Sequence, residues 1–74
     1  MTMDFLLLKR IVEATLLAAA QPLSVLQLLA LLGEDTPVSH EDVARALAEL
    51  QQDCAERGVE LKEVASGFRY QVRE

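Results

Sequence analysis

The residues of this chain that could support acid–base or metal chemistry are few and far apart. The sequence holds one histidine, His40, and one cysteine, Cys54, so a zinc site of nitrogen and sulfur ligands is incomplete. We expect His40 in the exposed first turn of a helix, where a surface role is far commoner than general-base catalysis, and Cys54 on an apolar helix face as an inert core thiol. The glycines stand apart at positions 33, 58 and 67, so the sequence has no glycine-rich phosphate loop. The sequence therefore predicts neither an enzyme nor a metal or cofactor site.

Charge is distributed unevenly between two segments that could meet nucleic acid. The net charge is −5, from 7 basic and 12 acidic residues, which argues against general affinity for a phosphate backbone. The polar side of the segment from 41 to 56 carries mostly acids, which is unsuited to reading the major groove. Its side chains are Glu41, Asp42, Arg45, Glu49, Gln52, Asp53 and Glu56. The modestly basic segment that follows contains Lys62, Arg69 and Arg73, which are either a weak phosphate contact or, as we favour, a solvated face.

An apolar surface for a protein partner has more support. On a helical wheel, Leu6 and Leu17 fall on the polar side of the first predicted helix. Leu26 and Leu31 belong to a second helix that is apolar almost all round. Each leucine alone is explained by ordinary surface exposure or by a slightly rotated helix. Together they favour a partner patch, although the sequence does not separate a dimer contact from a contact with another protein.

Two helices must position these leucines. Residues from Asp4 to about Ala20 contain neither Gly nor Pro and are rich in Leu and Ala, which predicts the first helix. On the side opposite its apolar face we expect Lys9, Arg10 and Glu13. Pro22 ends this helix and Leu23 forms a short extended link. Ser24 then caps a second helix from residue 25 to residue 32, with Gly33 suited to the left-handed position after its end.

A third helix and a hairpin complete the pattern. Ser39 with Asp42 three residues later resembles a capping box, so the third helix begins near His40 and runs to about Arg57. Its apolar stripe is Val43, Leu47, Leu50 and Cys54. After residue 58 apolar residues alternate with polar ones in two runs around Gly67, which predicts a β-hairpin. We predict one α+β, mainly α, domain over residues 1–74: a winged helix-turn-helix of three helices followed by a two-stranded hairpin.

The short length of the chain favours association, and its sequence patterns favour a cytoplasmic setting. A domain of 74 residues buries only about 60% of the surface of its unfolded chain, so its core gains from a second subunit. The sequence lacks the pattern of a signal peptide, and polar residues interrupt each apolar run before the roughly 18 residues of a membrane span. A single cysteine suits a reducing compartment. We therefore predict a cytoplasmic protein.

Several segments together resemble a known family. They are residues 11–14 with Leu16, the link 21–24, the leucines up to Gly33, and residues 58–69, Gly-Val-Glu-Leu-Lys-Glu-Val-Ala-Ser-Gly-Phe-Arg. In order and spacing they are similar to the amino-terminal winged helix of segregation and condensation protein B, and the hairpin is the most specific part. The chain departs from the family pattern at Ser66, in a long loop over residues 34–38, and at Leu26.

The resemblance implies a non-enzymatic accessory subunit of bacterial condensin. Family members have two winged helices and form homodimers through the first, and they bind the kleisin, segregation and condensation protein A, of the complex that contains the structural maintenance of chromosomes ATPase. Only one winged helix fits these residues, so we expect a fragment, associated with the nucleoid through the complex. The alternative is a winged-helix DNA-binding module of a transcription regulator.

Overall fold

The chain forms three helices followed by an antiparallel hairpin, in a computed structural model that describes residues 4–32 and 38–72. The elements are α1 (Phe5–Ala18), α2 (Val25–Leu32), α3 (His40–Asp53), β1 (Val59–Val64) and β2 (Gly67–Val72). This order confirms the predicted α+β winged helix-turn-helix.

Helix α1 ends earlier in the sequence than its composition predicts. It begins after Asp4, whose carboxylate accepts a hydrogen bond from the Leu6 N–H at 3.4 Å. It ends at Ala18 rather than near Ala20, because Ala19 is already extended, with φ −75° and ψ 137°. An extended segment is needed here to carry the chain across to the hairpin. Helix propensity depends on residue type alone, so it does not predict where this extended segment must begin.

Helix α2 begins with a capping box that uses its one polar side chain. The Ser24 hydroxyl accepts a hydrogen bond from the Gln27 N–H at 3.1 Å, and the Gln27 side-chain oxygen accepts one from the Ser24 N–H at 2.8 Å. Ser24 is thus confirmed as the N-cap. Gly33 is predicted for the left-handed position after the end of this helix. It lies outside the described residues, as do residues 34–37 of the following loop.

Helix α3 begins with the predicted capping box and ends in a tighter turn. The Ser39 hydroxyl accepts from the Asp42 N–H at 3.1 Å, and the Asp42 carboxylate accepts from the Ser39 N–H at 3.0 Å. The α-helix ends at Asp53, and a 3₁₀ turn over Cys54–Glu56 follows before the chain becomes extended at Arg57. The helical run therefore stops within a residue of the predicted end.

The hairpin is tied to the helices by one bridge. Strands β1 and β2 pair from Val59↔Val72 to Val64↔Gly67, which leaves a two-residue turn. Beyond β2, Leu23 and Phe68 exchange two main-chain hydrogen bonds of 3.0 and 2.8 Å. The extended link predicted at Leu23 is thereby confirmed as a third, very short strand.

The core lies on α3, which packs against α1, α2 and β1. All four residues of its predicted apolar stripe are buried, and Ala46 joins them. Helix α1 adds Leu8, Val12 and Leu16. Leu28 of α2 and Leu61 of β1 complete the buried side chains of the described residues.

Two charged residues of α1 form ion pairs with α3 or with the residue after its 3₁₀ turn, and do not lie on an outer side as the wheel predicts. The Lys9 ammonium lies 2.8 Å from the Asp53 carboxylate and 3.4 Å from that of Glu49, with only 15% of its side chain exposed. The Glu13 carboxylate lies 3.0 Å from the Arg57 guanidinium. A wheel gives directions around one helix axis but not the neighbour that each direction meets, and here the neighbour carries opposite charges.

Candidate protein-interaction surfaces

The four leucines singled out by the sequence are all exposed. Leu6 and Leu17 are each 54% exposed, Leu26 is 72% exposed and Leu31 63%. Two further large apolar side chains, Leu7 and Val72, are exposed as well. Sequence reasoning missed Val72 because it continues the alternation of the core-facing residues of β2. Val72 pairs with Val59 in the last pair of the described hairpin, so it lies at that end of the sheet.

Leu17 and Val72 line the same groove. One wall is the link from Ala19 to Pro22, the other is β2 from Arg69 to Val72, and the volume is about 360 Å³. We call this feature the α1–β2 groove. Among the described residues, its lining includes one arginine and no acidic residue, in a chain of net charge −5. The described part of the groove is therefore locally basic within an acidic domain.

The wall formed by β2 is an open strand edge. In an antiparallel pair, successive residues direct their N–H and C=O groups alternately to the two sides of the strand. Phe68 directs both groups to Leu23, so Tyr70 and Val72 direct theirs to the same side, away from β1. Among residues 4–32 and 38–72, no main-chain hydrogen bond from another segment reaches Tyr70 or Val72. The edge thus offers unpaired main-chain donors and acceptors.

Leu6 borders a different depression from Leu17. That depression, of about 160 Å³, lies between α1 and α3 and is also lined by Arg10 and Leu50 and by the charged pair Lys9 and Asp53. The structure therefore brings Leu17 together with Val72, and not with Leu6. Of the leucines on two helices that the sequence groups into one candidate patch, Leu6 and Leu17 line different depressions.

The outer face of α2 is apolar except for Gln27. Its exposed residues are Leu26, Gln27, Ala30 and Leu31. The Gln27 side chain is engaged in the capping box with Ser24, so the face offers almost no polar group to water. Apolar helix faces of this kind are commonly covered by a partner.

The acidic side of α3 is partly neutralised inside the domain. Lys9 pairs with Glu49 and Asp53, and Arg45 lies 3.4 Å from Glu49 and 4.3 Å over the ring centre of Phe5. The hydrogen bond to Asp53 is the main cause that raises the pKa of Lys9 above its ordinary value. This network joins α1 to α3 and pairs both Lys9 and Arg45 with acids of α3.

The candidate basic residues of the hairpin lie on its solvent face. Lys62 and Arg69 are exposed and directly opposite each other in the register, an arrangement of like charges that costs stability. The Arg69 guanidinium donates to the Gln71 side-chain oxygen at 3.3 Å, and the Gln71 amide donates to Glu60 at 2.8 Å. Arg73 lies outside the described residues. The two described cations therefore form a small patch with an acid at its border.

Tyr70 carries a buried hydroxyl that lacks a hydrogen-bond partner among the described residues. Burial raises its pKa to about 12, and the negative charge of Glu13 adds to the effect. The nearby Arg57 guanidinium acts in the opposite direction. This group is inside the domain and has no access to a substrate.

The residues with catalytic potential do not form a site. His40 is exposed at the first position of α3, and Cys54 is fully buried in the core. Within residues 4–32 and 38–72, no group of three or more His, Cys, Asp or Glu side chains is placed to hold a metal ion. The same residues include no helix long and apolar enough to cross a membrane.

Comparisons with known proteins agree on one family. The family model described as "Segregation and condensation complex subunit ScpB" matches residues 10–74. A "Segregation and condensation protein B homolog" of Coxiella burnetii (strain RSA 493 / Nine Mile phase I) is 46% identical over 65 residues, 88% of this chain. The chain spans about a third, 31%, of the length of that relative. A crystal structure of a "dimer of ScpB N-terminal domain complexed with ScpA peptide" matches with a TM-score of 0.77 at 38% identity, over 90% of this chain and 82% of that one.

Proposed function

The chain belongs to the ScpB family of segregation and condensation complex subunits, and on that premise we propose that it is a protein-interaction domain of the condensin complex. It dimerises and binds the kleisin, segregation and condensation protein A (ScpA), through which it meets the structural maintenance of chromosomes ATPase. The domain acts by binding, without chemistry, in chromosome condensation and segregation. Its place is the cytoplasm, at the nucleoid through the complex.

The observation that carries this proposal is the exposure of leucines on two helices. Leu6, Leu17, Leu26 and Leu31 are each more than half exposed, in a domain whose buried core is small. Covering such side chains stabilises an assembly by about 25 cal/mol per Å² of apolar area. The solved relative is described as a dimer with an ScpA peptide, which supports the same two kinds of partner here.

The shapes of the surfaces favour a division of labour between them. The outer face of α2, with Leu26 and Leu31, is a helix surface that a second copy can cover symmetrically, so we assign self-association to it. The α1–β2 groove with Leu17 is concave and suits a chain segment. Leu6, in its separate depression, is a further candidate for partner contact.

The rest of the family protein lies outside these 74 residues. Because the chain spans 31% of the curated relative, we propose that it is one winged-helix domain and that a second stands elsewhere in the full protein. We do not expect this domain alone to carry every activity and every partner contact of the full protein.

A transcription-regulator role is less well supported. Helix α3, which would enter the major groove, presents acids whose cationic partners are already engaged with it. Lys62 and Arg69, with Arg73 beyond the described part, leave at most a weak phosphate contact on the hairpin. A mobility-shift assay at low salt tests this directly: sequence-specific binding by the chain would overturn the assignment.

The proposal is tested by measuring self-association and kleisin capture separately. Light scattering over a range of concentrations is expected to show a dimer, and a strict monomer at high micromolar concentration would refute dimerisation by these residues. A pull-down of purified ScpA from the same organism is expected to succeed with this chain. If only the full-length protein captures ScpA, the kleisin contact lies outside this domain.

A further inference from the structure

We propose that the α1–β2 groove binds one extended segment of ScpA as an added strand on the open edge of β2. The inference rests on the proposed function, which supplies the partner, and adds the site and the mode of binding. The groove residues that make the contact are Leu17, Arg69, Tyr70 and Val72, with the main chain of the last two as the hydrogen-bonding edge.

The first argument is the unfinished strand ladder. Leu23 and Phe68 begin an antiparallel ladder, whose next members in this register are Gln21 opposite Tyr70 and Ala19 opposite Val72. Neither position bonds to β2: Ala19 donates its N–H to the Leu16 carbonyl at 3.3 Å instead. Strand addition supplies the partners that the chain does not supply to its own edge.

The second argument is the size of the groove. A volume of about 360 Å³ lies within the range of about 300–1,000 Å³ that is usual for ligand sites. The walls are the link Ala19–Pro22 and β2. A folded second copy would have to insert one of its own strands between these walls. The shape therefore favours a flexible segment of a partner over a second copy of this domain.

The third argument is the chemistry of the lining. Leu17 and Val72 are among the most exposed apolar side chains of the domain, and an extended segment that alternates side chains can cover both from one face. Arg69 is the single charged residue among the described residues that line the groove. The segment that fits is an extended run with apolar residues at alternate positions and a carboxylate near Arg69.

Binding of overlapping synthetic peptides that cover the ScpA sequence of the same organism tests the site. Fluorescence anisotropy of each labelled peptide is measured against the wild-type chain and two groove variants, Leu17→Glu and Arg69→Glu. Each has a matched control outside the groove. Leu7→Glu makes the same change at a leucine of the same helix that is 49% exposed, and Arg45→Glu makes the same charge reversal on α3 at a side chain that is 69% exposed.

We expect one peptide to bind and both groove variants to weaken it by at least about tenfold, because a carboxylate then faces apolar or acidic groups. The controls are expected to stay within about twofold, which is the range of rim contacts. Circular dichroism confirms folding of all four variants, whose changed side chains are exposed in the wild-type chain.

Amide hydrogen exchange reports the strand directly. The Phe68 N–H donates to the Leu23 carbonyl in the free domain, whereas the Tyr70 and Val72 N–H groups have no main-chain partner among the described residues. We expect the bound peptide to slow exchange at Tyr70 and Val72 and to leave Phe68 unchanged. If slowing at these two amides follows protein concentration without peptide, a second copy occupies the edge and the proposal is wrong.

The remaining outcomes separate the groove from the proposed function. A peptide that binds equally to wild type and groove variants, without slowing the two amides, would place the ScpA contact elsewhere on the domain and overturn the groove alone. No binding by any peptide at high micromolar concentration would overturn both the groove and the kleisin contact of this domain.

Discussion

Gly67 lies against the main chain of Leu23 with no room for a side chain between them. A Cβ placed on Gly67 would be 2.3 Å from the Leu23 carbonyl carbon and 2.5 Å from its oxygen. Gly67 also has φ 143°, a conformation that residues with a side chain rarely adopt. The same glycine thus closes the hairpin turn and permits the bridge between Leu23 and Phe68 that joins hairpin to helices.

We expect Gly67→Ala to be severely destabilising for that reason. Backbone strain together with a clash against main-chain atoms, which cannot move aside, costs at least about 2 kcal/mol of unfolding free energy. Urea denaturation followed by circular dichroism measures the loss. The matched control is Gly58→Ala, because a Cβ there would meet nothing within 4 Å, and we expect its effect to be below about 0.5 kcal/mol. Equal stability of the two variants would show that the bridge does not constrain the hairpin.

Tyr70→Phe is expected to keep or raise the stability of the domain. The Tyr70 hydroxyl is buried without a hydrogen-bond partner among the described residues, and such a group costs about 1–3 kcal/mol relative to a satisfied one. Removal of one oxygen leaves the packing of the ring intact. Thermal and urea unfolding at neutral pH are expected to show a gain of up to about 1 kcal/mol. A loss of similar size would instead reveal a hydrogen bond at this hydroxyl.

The pH dependence of stability offers a second test of Tyr70. Its pKa is about 12 in the folded state against 10.0 ordinarily, so the folded domain holds the phenolic proton more tightly than the unfolded chain. This contribution is fully present below pH 10 and is lost as the pH rises toward 12. Unfolding free energies measured across that range should fall more steeply for wild type than for Tyr70→Phe. Lys9 also loses its proton at high pH, but it is present in both proteins and cancels in the difference.

The features that the sequence predicts well are local ones. The Ser39–Asp42 capping box and the change of period after residue 58 depend on residues close together in the chain, so their spacing is visible in one dimension. The apolar stripe of α3 was equally clear, because one helix period suffices to place it. The ends of the elements are predicted less well. Helix α1 stops at Ala18 because the chain must become extended to reach the bridge at Leu23, and helix propensity does not predict that bridge.

The candidate surfaces show the limit of the same reasoning. Exposure of Leu6 and Leu17 followed from a helical wheel, but their separation into two sites depends on β2 and α3, which reach them only in the folded chain. The pairing of Lys9 with Asp53 likewise joins residues far apart in sequence. The open edge of β2 exists because, in the described part of the chain, the link before α2 pairs with β2 at Leu23 only. That pairing is known only from the folded chain.

The assignment of self-association to α2 leads to the last prediction, for Leu26→Glu and Leu31→Glu. Both side chains are largely exposed, so the changes leave the monomer folded while they place a carboxylate in the proposed dimer contact. We expect each variant to raise the dimer dissociation constant by at least about tenfold, because burial of an unpaired charge opposes association. Sedimentation equilibrium measures the shift, with Leu17→Glu as the control that carries the same change in the α1–β2 groove. If Leu17→Glu dissociates the dimer and the two α2 variants do not, the second copy sits on α1 and the assignment of α2 is wrong.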